Sequence, residues 1–464
     1  MQEDPTAPAG GQNAWPSAPA YKWACSPTTL TTLDTNDLEV RSGVRGNFWR
    51  SARWCSDGSA VLSTTEDRSL RVHSTPDPGS LDLTPKVFEQ PDAIHSTLWY
   101  PLASAHSPET YCFVTSIRDT PVRLVDASDG RIRATYPIID HRERFIAPHS
   151  LAFNPTASKL YCGFENAIEV FDVASPGYDT AERLKTVYAR REKGGQKGII
   201  SAIAFCTDYS GTFAAGSFSG SVALYSEDTG STPLAHVDGV KGGGVTQIAF
   251  HPLSPTTMFV ASRRSSAIQV YDTRDLSAPV SELSRSGSTN QRISFDVDPW
   301  GRWISSGDEY GSLGVWDISD LASTSEPIFK ERLHDDAIGS VQFHPYQPLL
   351  LTCTGSRMHQ GLHSSWSDSD TGSDSETDSN SEVASNESSK DNVSGSESAT
   401  RSNTASNIIP NGKPKSRYPS WAAWDAKLRV WSFAAPLDSA PGSASAIASV
   451  QELSLTAAAV STAL

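Results

Sequence analysis

Between His149 and Asp317 the chain repeats itself, and that repetition restricts its fold more than any other feature. HSLAFNPTASKLYCGFENAIEVFD (His149–Asp172), ISAIAFCTDYSGTFAAGSFSGSVALYS (from Ile200) and VTQIAFHPLSPTTMFVASRRSSAIQVYD (from Val245) share one plan. Each has three short segments alternating apolar and polar residues, separated by turns rich in Gly, Pro, Asp and Ser. Such alternation marks half-buried antiparallel strands. The clearest copy is Asn290–Asp320, with predicted strands at Ile293–Val297, Arg302–Ser306 and Ser312–Asp317, the last ending in Trp316-Asp317. Third strands should end at Asp126, Asp172, Ser226, Asp272 and Asp317, at intervals of 46, 54, 46 and 45 residues. Prolines follow the first strand at Pro155, Pro252, Pro299 and Pro345. A period near 40–45 with four strands per unit is the pattern of a WD40 propeller.

Seven units fit. Earlier ones are Asn47–His73 and the stretch from near Ile94 to Asp126; the seventh opens at Ile338–Ser356 and resumes at Lys427–Phe433. The expected fold class is all-β, a seven-bladed WD40 propeller over 21–358 completed by 419–433. Residues 1–20 are expected to be a disordered N-terminal segment, 359–418 a disordered acidic insert, and 434–464 an Ala/Ser-rich tail. A propeller ring closes when a strand from one end of the chain completes the last blade. Tyr21–Leu33 and Ser449–Thr456 are the candidates, and the first is preferred because Ala434–Leu464 reads as a tail.

The net charge is −15, and nine acidic residues against one basic between Ser364 and Thr400 account for more than half of it. That segment is nearly devoid of apolar residues and cannot offset its ordering entropy. It falls between the second and third strands of blade seven, so it should hang from the face that carries the blade-to-blade connections. Acids stand three residues after Ser365, Ser367, Thr371, Ser373 and Ser375. This suggests phosphorylation, with Ser367, Ser373 and Ser375 as candidates, which would add charge that competes with an anionic ligand.

The six cysteines are scattered and form no C-x-x-C; buried reduced thiols are expected rather than zinc or disulfides. The N-terminus has no signal-peptide pattern, and no apolar run is long enough to span a membrane. No metalloprotease, P-loop or nucleophile-elbow motif occurs, and Gly216–Gly220 (GSFSG) carries Phe218 where a nucleophile would stand. An enzyme is not expected, nor a cofactor. His149 and His334, just before first strands, and Asp67 and Asp119, in tight turns, are expected to be structural.

The chemically informative stretch is RLKTVYARREKGGQK, Arg183–Lys197, with six basic residues and one acid. Arg183, Lys185, Arg190, Arg191, Lys193 and Lys197 lead into blade four, Arg263 and Arg264 occupy the corresponding turn of blade five, and Asn290, Gln291 and Arg292 lead into blade six. Cations on one face of an acidic protein are either a solvated edge or a phosphate site, where guanidinium forks suit phosphate oxygens. Tyr188, Phe218, Tyr310 and Trp300 are nearby candidates for stacking unpaired bases, or are blade core.

NFWRSARWCSDGSAVLSTTEDRSLRV, HSLAFNPTASKLYCGFENAIEVF, QKGIISAIAF and TNQRISFDVDPWGRWISSG resemble the telomerase Cajal body protein family, including its fungal relatives linked to splicing. The resemblance runs from about Asn47 to Asp317 and on into blade seven, where family members also carry an acidic insertion. It implies a nuclear, non-catalytic, RNA-binding scaffold. In the animal family the ligand is a short loop element of small Cajal-body RNAs and telomerase RNA, bound with H/ACA proteins, and the role is delivery and folding of the ribonucleoprotein. The expected partner is thus a small non-coding RNA of telomerase, Cajal-body or spliceosomal type with its proteins, bound by a monomer in the nucleus. A protein-only scaffold associated with spliceosomal factors is the alternative.

Overall fold

The computed structural model describes residues 17–38, 46–77, 79–177, 181–187, 195–321, 325–356, 358–359, 421–422 and 425–434. Within them the chain forms seven four-stranded antiparallel sheets, the blades of a WD40 propeller. The third strands end at Asp126, Asp172, Ser226, Asp272 and Asp317, as the repeat predicts. In blade six the strands are Phe295–Val297, Trp303–Gly307, Ser312–Asp317 and Phe329–Arg332. The first is shorter at its start than expected.

First strands contact the first strands of neighbouring blades, so they form the inner ring around the central channel. Antiparallel pairing then fixes two faces. First strands start, second strands end and third strands start on the upper face, which also carries the connections between blades. Turns between first and second strands fall on the lower face.

Seven apolar clusters among the described residues each join two neighbouring blades. Leu62, Leu70 and Val72 of blade one meet Trp99, Phe113 and Ile117 of blade two, and Phe259, Ile268 and Val270 of blade five meet Phe295, Ile304 and Trp316 of blade six. Both faces of the second strands are therefore covered. That explains runs such as Ala60–Thr65 and Leu349–Thr354, in which every residue is buried. All six cysteines are free, and five are buried.

The ring closes through the N-terminal strand. Thr28–Asp34 pairs with Lys427–Ser432, from Thr28 opposite Ser432 to Asp34 opposite Lys427. The order of blade seven is thus Ile338–Phe343, Leu349–Thr354, Lys427–Ser432, Thr28–Asp34. Just before it, Tyr21 and Trp23 stack at 4.9 Å, and Trp23 packs against Phe433 at 4.7 Å. Deleting residues 1–34 should cost about 3–6 kcal/mol from the apolar contacts of Trp23 and Leu33 alone, and should bare the edge of Lys427–Ser432. A thermal melt should show a large drop in Tm; an unchanged Tm would contradict this closure.

Blade seven is interrupted after Thr354. The chain leaves through Gly355, whose positive φ of +134° and tight packing on Phe48 leave no room for a side chain. It rejoins at Asp425 on the same upper rim. Met358–His359 pairs with Trp421–Ala422 as a separate two-stranded ladder. The expected disordered insert and tail, the candidate phosphorylation sites Ser367, Ser373 and Ser375, and the N-terminal segment to residue 16 lie outside the described residues.

Buried polar groups brace the ring. His334, ahead of blade seven, has Nδ1 at 3.2 Å from Asp425 and Nε2 at 2.8 Å from Thr352 Oγ1, which also accepts from Trp431 Nε1 at 2.8 Å. Gln196 takes the equivalent place ahead of blade four: its Nε2 donates to Ala215 O, and Tyr225 Oη donates to its Oε1. In blade one Arg71 and Asp67 form a fully buried pair at 2.8 Å, with Asn47 Oδ1 accepting from Asp67 N–H.

Candidate functional site

The inner rim of the upper face gathers arginines and histidines that lie far apart in sequence. Arg50 and His95 stand at the starts of the first strands of blades one and two, and Arg53 lies further along the channel wall. His149 immediately precedes the first strand of blade three, Arg292 lies three residues ahead of that of blade six, and Arg118 and Arg263 follow second strands. Arg50, Arg53, Arg118 and Arg292 keep part of their surface open to solvent, while the crowded channel wall desolvates the Arg53 and Arg292 guanidinium groups.

Their mutual fields show that they form one group. Desolvation pushes the Arg292 guanidinium down to about 10, helped by the like charges of Arg53, Arg263 and Arg50. It therefore stays charged at neutral pH, in a field already positive. Burial pushes His149 down to about 4, and His95, Arg263 and Arg118 push the same way. Burial also lowers His95, as do Arg118 and Arg50, against the pull of the Ala147 carbonyl and Asp92. Both imidazoles are thus neutral at pH 7. They stack on one another at 4.4 Å.

Phe218 completes the group. It sits in the second-to-third-strand turn of blade four, its ring edge-on to His149 at 5.9 Å and under the Arg263 guanidinium at 4.2 Å. Arg263 Nε is buried with no hydrogen-bond partner among the described residues. Few acids neutralise this rim. Arg50 lies 3.6 Å from Glu66, whereas Arg53, Arg118, Arg263 and Arg292 have no carboxylate within ion-pair distance among the described residues. Positive charge in a water-filled channel mouth attracts anions over the range that salt screening allows.

The candidates from sequence are placed unevenly. Arg263 and Arg292 are in the group. Gln291 is beside it, its Nε2 donating to Gly355 O at 2.7 Å and so tying blade six to the exit of the insert. Asn290 and Arg264 are exposed further out on the same face, Arg264 with φ +52° in its turn. Lys197 is exposed ahead of blade four. Arg183 and Lys185 are on the outermost strand of blade three, Glu182–Lys185. Arg183 is held there by Glu169 at 2.6 Å and lies over Phe164. Arg190, Arg191, Lys193 and Tyr188 lie outside the described residues.

Tyr310 is 63% exposed on the upper turn of blade six. Trp300 is at the opposite end, because the turn after a first strand must fall on the lower face. His149, expected to be structural, lies at the channel mouth between His95 of blade two and Phe218 of blade four. Arg50, Arg53, Arg118 and His95 escaped the reading of the sequence. The available signal was repeat phase, since Arg118, Phe218 and Arg263 each directly follow a second strand.

No family model matches the chain. Among curated proteins, telomerase Cajal body protein 1 of Bos taurus is 36% identical over 323 residues, covering 67% of this chain and 58% of that protein. The Rattus norvegicus protein of the same name is 34% identical over 370 residues, 77% of this chain and 66% of its own length. Guanine nucleotide-binding protein negative regulator 1 of Schizosaccharomyces pombe is 29% identical over 346 residues, 71% of this chain and 84% of its own. The chain thus spans about three-fifths of the length of the mammalian relatives it matches. With this identity running over most of a seven-bladed WD40 propeller, the chain belongs to the telomerase Cajal body protein family.

Proposed function

We propose that this protein is a non-catalytic nuclear scaffold that binds a small structured RNA on its upper face and assists localisation or assembly of the ribonucleoprotein. The carrying observation is the ring of Arg50, Arg53, Arg118, Arg263 and Arg292 around Phe218 and the stacked histidines, in a chain whose overall charge is −15. Guanidinium forks grip phosphates, and a half-buried aromatic offers a face to an unpaired base. The names of the mammalian relatives point to a telomerase or Cajal-body RNA; a spliceosomal RNA is of the same chemical class. The exposed Lys197, Arg264 and Asn290 would extend the phosphate track outward, and Arg190, Arg191 and Lys193 are proposed as further RNA contacts.

The test is a salt titration of the purified full chain with the RNA that co-purifies with it, sequenced to identify it. The logarithm of the affinity should fall by about 0.7 per phosphate contacted for each decade of salt. A flat salt response would contradict the reading. Repeating the titration with 360–417 deleted tests whether the acidic insert competes: affinity should rise, and an unchanged affinity removes that part of the proposal.

The fission-yeast relative's name, guanine nucleotide-binding protein negative regulator 1, favours a second reading in which the same face grips a protein. Absence of RNA from the purified material, with a protein retained instead, would select it.

A further inference from the structure

The lower end of the propeller holds a second, chemically different site. A cavity of about 390 Å³ opens where blades six, seven and one meet, lined by Trp54, Asp296, Trp300, Gln342, Phe343 and Tyr346 among others. Blade one contributes the end of its first strand, blade six its Asp298–Gly301 turn, and blade seven the turn after Phe343. The floor is polar: Phe343 N–H donates to Asp296 Oδ2 at 2.8 Å. The rim is aromatic, and Tyr346 is 51% exposed.

Asp296 has no cation within ion-pair distance among the described residues. The charged groups whose fields reach it are Arg53, on the first strand of blade one, and Asp298, two residues on in its own blade. Asp298 is itself buried, with Oδ1 lacking a hydrogen-bond partner, and Trp300 Nε1 and Trp54 Nε1 are likewise without one. Tyr21, packed against Phe343 from the N-terminal segment, feels both carboxylates. Asp296 thus feels one guanidinium that does not touch it, with the buried Asp298 close by. An enclosed carboxylate without a contacting cation is costly, and aromatic faces attract cations electrostatically.

We propose that this lower cavity receives the cationic side chain, lysine or arginine, of a protein partner, its charge on the Asp296 carboxylate and its stem between Trp300 and Tyr346. The partner would dock at the opposite end of the channel from the RNA, so both could be held together.

Burial pushes Asp296 up to about 7, against the pull of Phe343 N–H and Arg53. A bound cation favours the ionised form, so binding should release a proton. Affinity should therefore rise with pH, by about tenfold between pH 6 and 8 for a group titrating near 7.

The experiment is ligand-observed NMR titration of the full chain with acetyl-Gly-Arg-Gly-amide, acetyl-Gly-Lys-Gly-amide and acetyl-Gly-Gln-Gly-amide. The proposal expects binding of one or both cationic peptides, no measurable binding of the glutamine peptide, and the stated rise with pH. Asp296→Asn should weaken cationic binding at least tenfold. Tyr346→Ala, a rim change that leaves the carboxylate in place, should weaken it several-fold and keeps the test decisive if Asp296→Asn fails to fold. Arg263→Ala/Arg292→Ala should leave peptide binding as it is, which separates this site from the RNA reading. Equal binding of the glutamine peptide, or no binding of any peptide, would overturn the proposal.

Discussion

Replacing Arg263 and Arg292 together by alanine should weaken RNA binding by between about tenfold and a hundredfold or more, and should make its salt dependence shallower. The magnitude follows from the chemistry of the rim. A hydrogen bond from a charged group contributes about 1.5–3 kcal/mol, and each lost phosphate contact removes about 0.7 from the salt slope. Arg292 is the most informative single residue, because its guanidinium is crowded by Arg53, Arg263 and Arg50 and an incoming phosphate relieves that repulsion. Arg263 acts through two chemistries, as a cation and as the group seated on Phe218. Phe218→Ala should therefore cost about 1–3 kcal/mol by lost base stacking. The control is Arg183→Ala, whose partner is Glu169 on an outer strand; it should leave RNA affinity within about twofold. Loss of affinity on changing Arg183 but not Arg263 and Arg292 would move the site to the outer edge of blade three.

The second large effect concerns the ring itself. Asp425→Ala should destabilise the propeller by about 3–5 kcal/mol, the usual cost of removing one partner from a buried charged network. Asp425 is the residue at which the chain rejoins blade seven. It lies within hydrogen-bond distance of the His334 ring, accepts from the Asp335 N–H, and is 2.8 Å from Lys427 Nζ. Burial alone would push its carboxyl up, but the contacts from His334, Lys427 and the Asp335 N–H outweigh that and hold it well below the usual carboxylate range. A depressed folded-state value gives stability that is fully present above the unfolded value near 4 and is lost as pH falls towards the folded value. The gap in Tm between wild type and Asp425→Ala should thus be full at pH 7 and narrow below about pH 4. Asp425→Asn, which can still accept a hydrogen bond, should lie between the two. A gap that widens on acidification would show that this network is not what braces blade seven.

The legibility of the sequence followed burial. Third strands such as Ala267–Asp272 are covered on both faces and end at a turn acid, so their period stands out. Fourth strands were not visible: Lys86–Glu89 and Glu182–Lys185 are four residues long and largely exposed, so no apolar alternation marks them. The closing strand Thr28–Asp34 alternated only weakly for the same reason, with Leu33 its one buried residue.

The channel mouth was half legible. Arg263 stood out beside Arg264, and Arg292 because it follows Asn290 and Gln291 on the way into blade six. Arg50, Arg53 and Arg118 did not, because only closure of the ring brings blades one and two round to blades five and six. Arg183 belongs to a conspicuous basic run, and a strand pairing that puts it opposite Glu169 sets it on the outermost strand of blade three.

The most direct measurement is ultraviolet crosslinking of the full chain to its co-purified RNA, with the crosslinked peptides located by mass spectrometry. Crosslinks should fall on the upper-face segments around His95, His149, Phe218 and Arg292. Crosslinks confined to the lower-face turns at Pro299–Trp300 and Pro345–Tyr346, or to the outer strand Glu182–Lys185, would contradict an RNA site at the channel mouth.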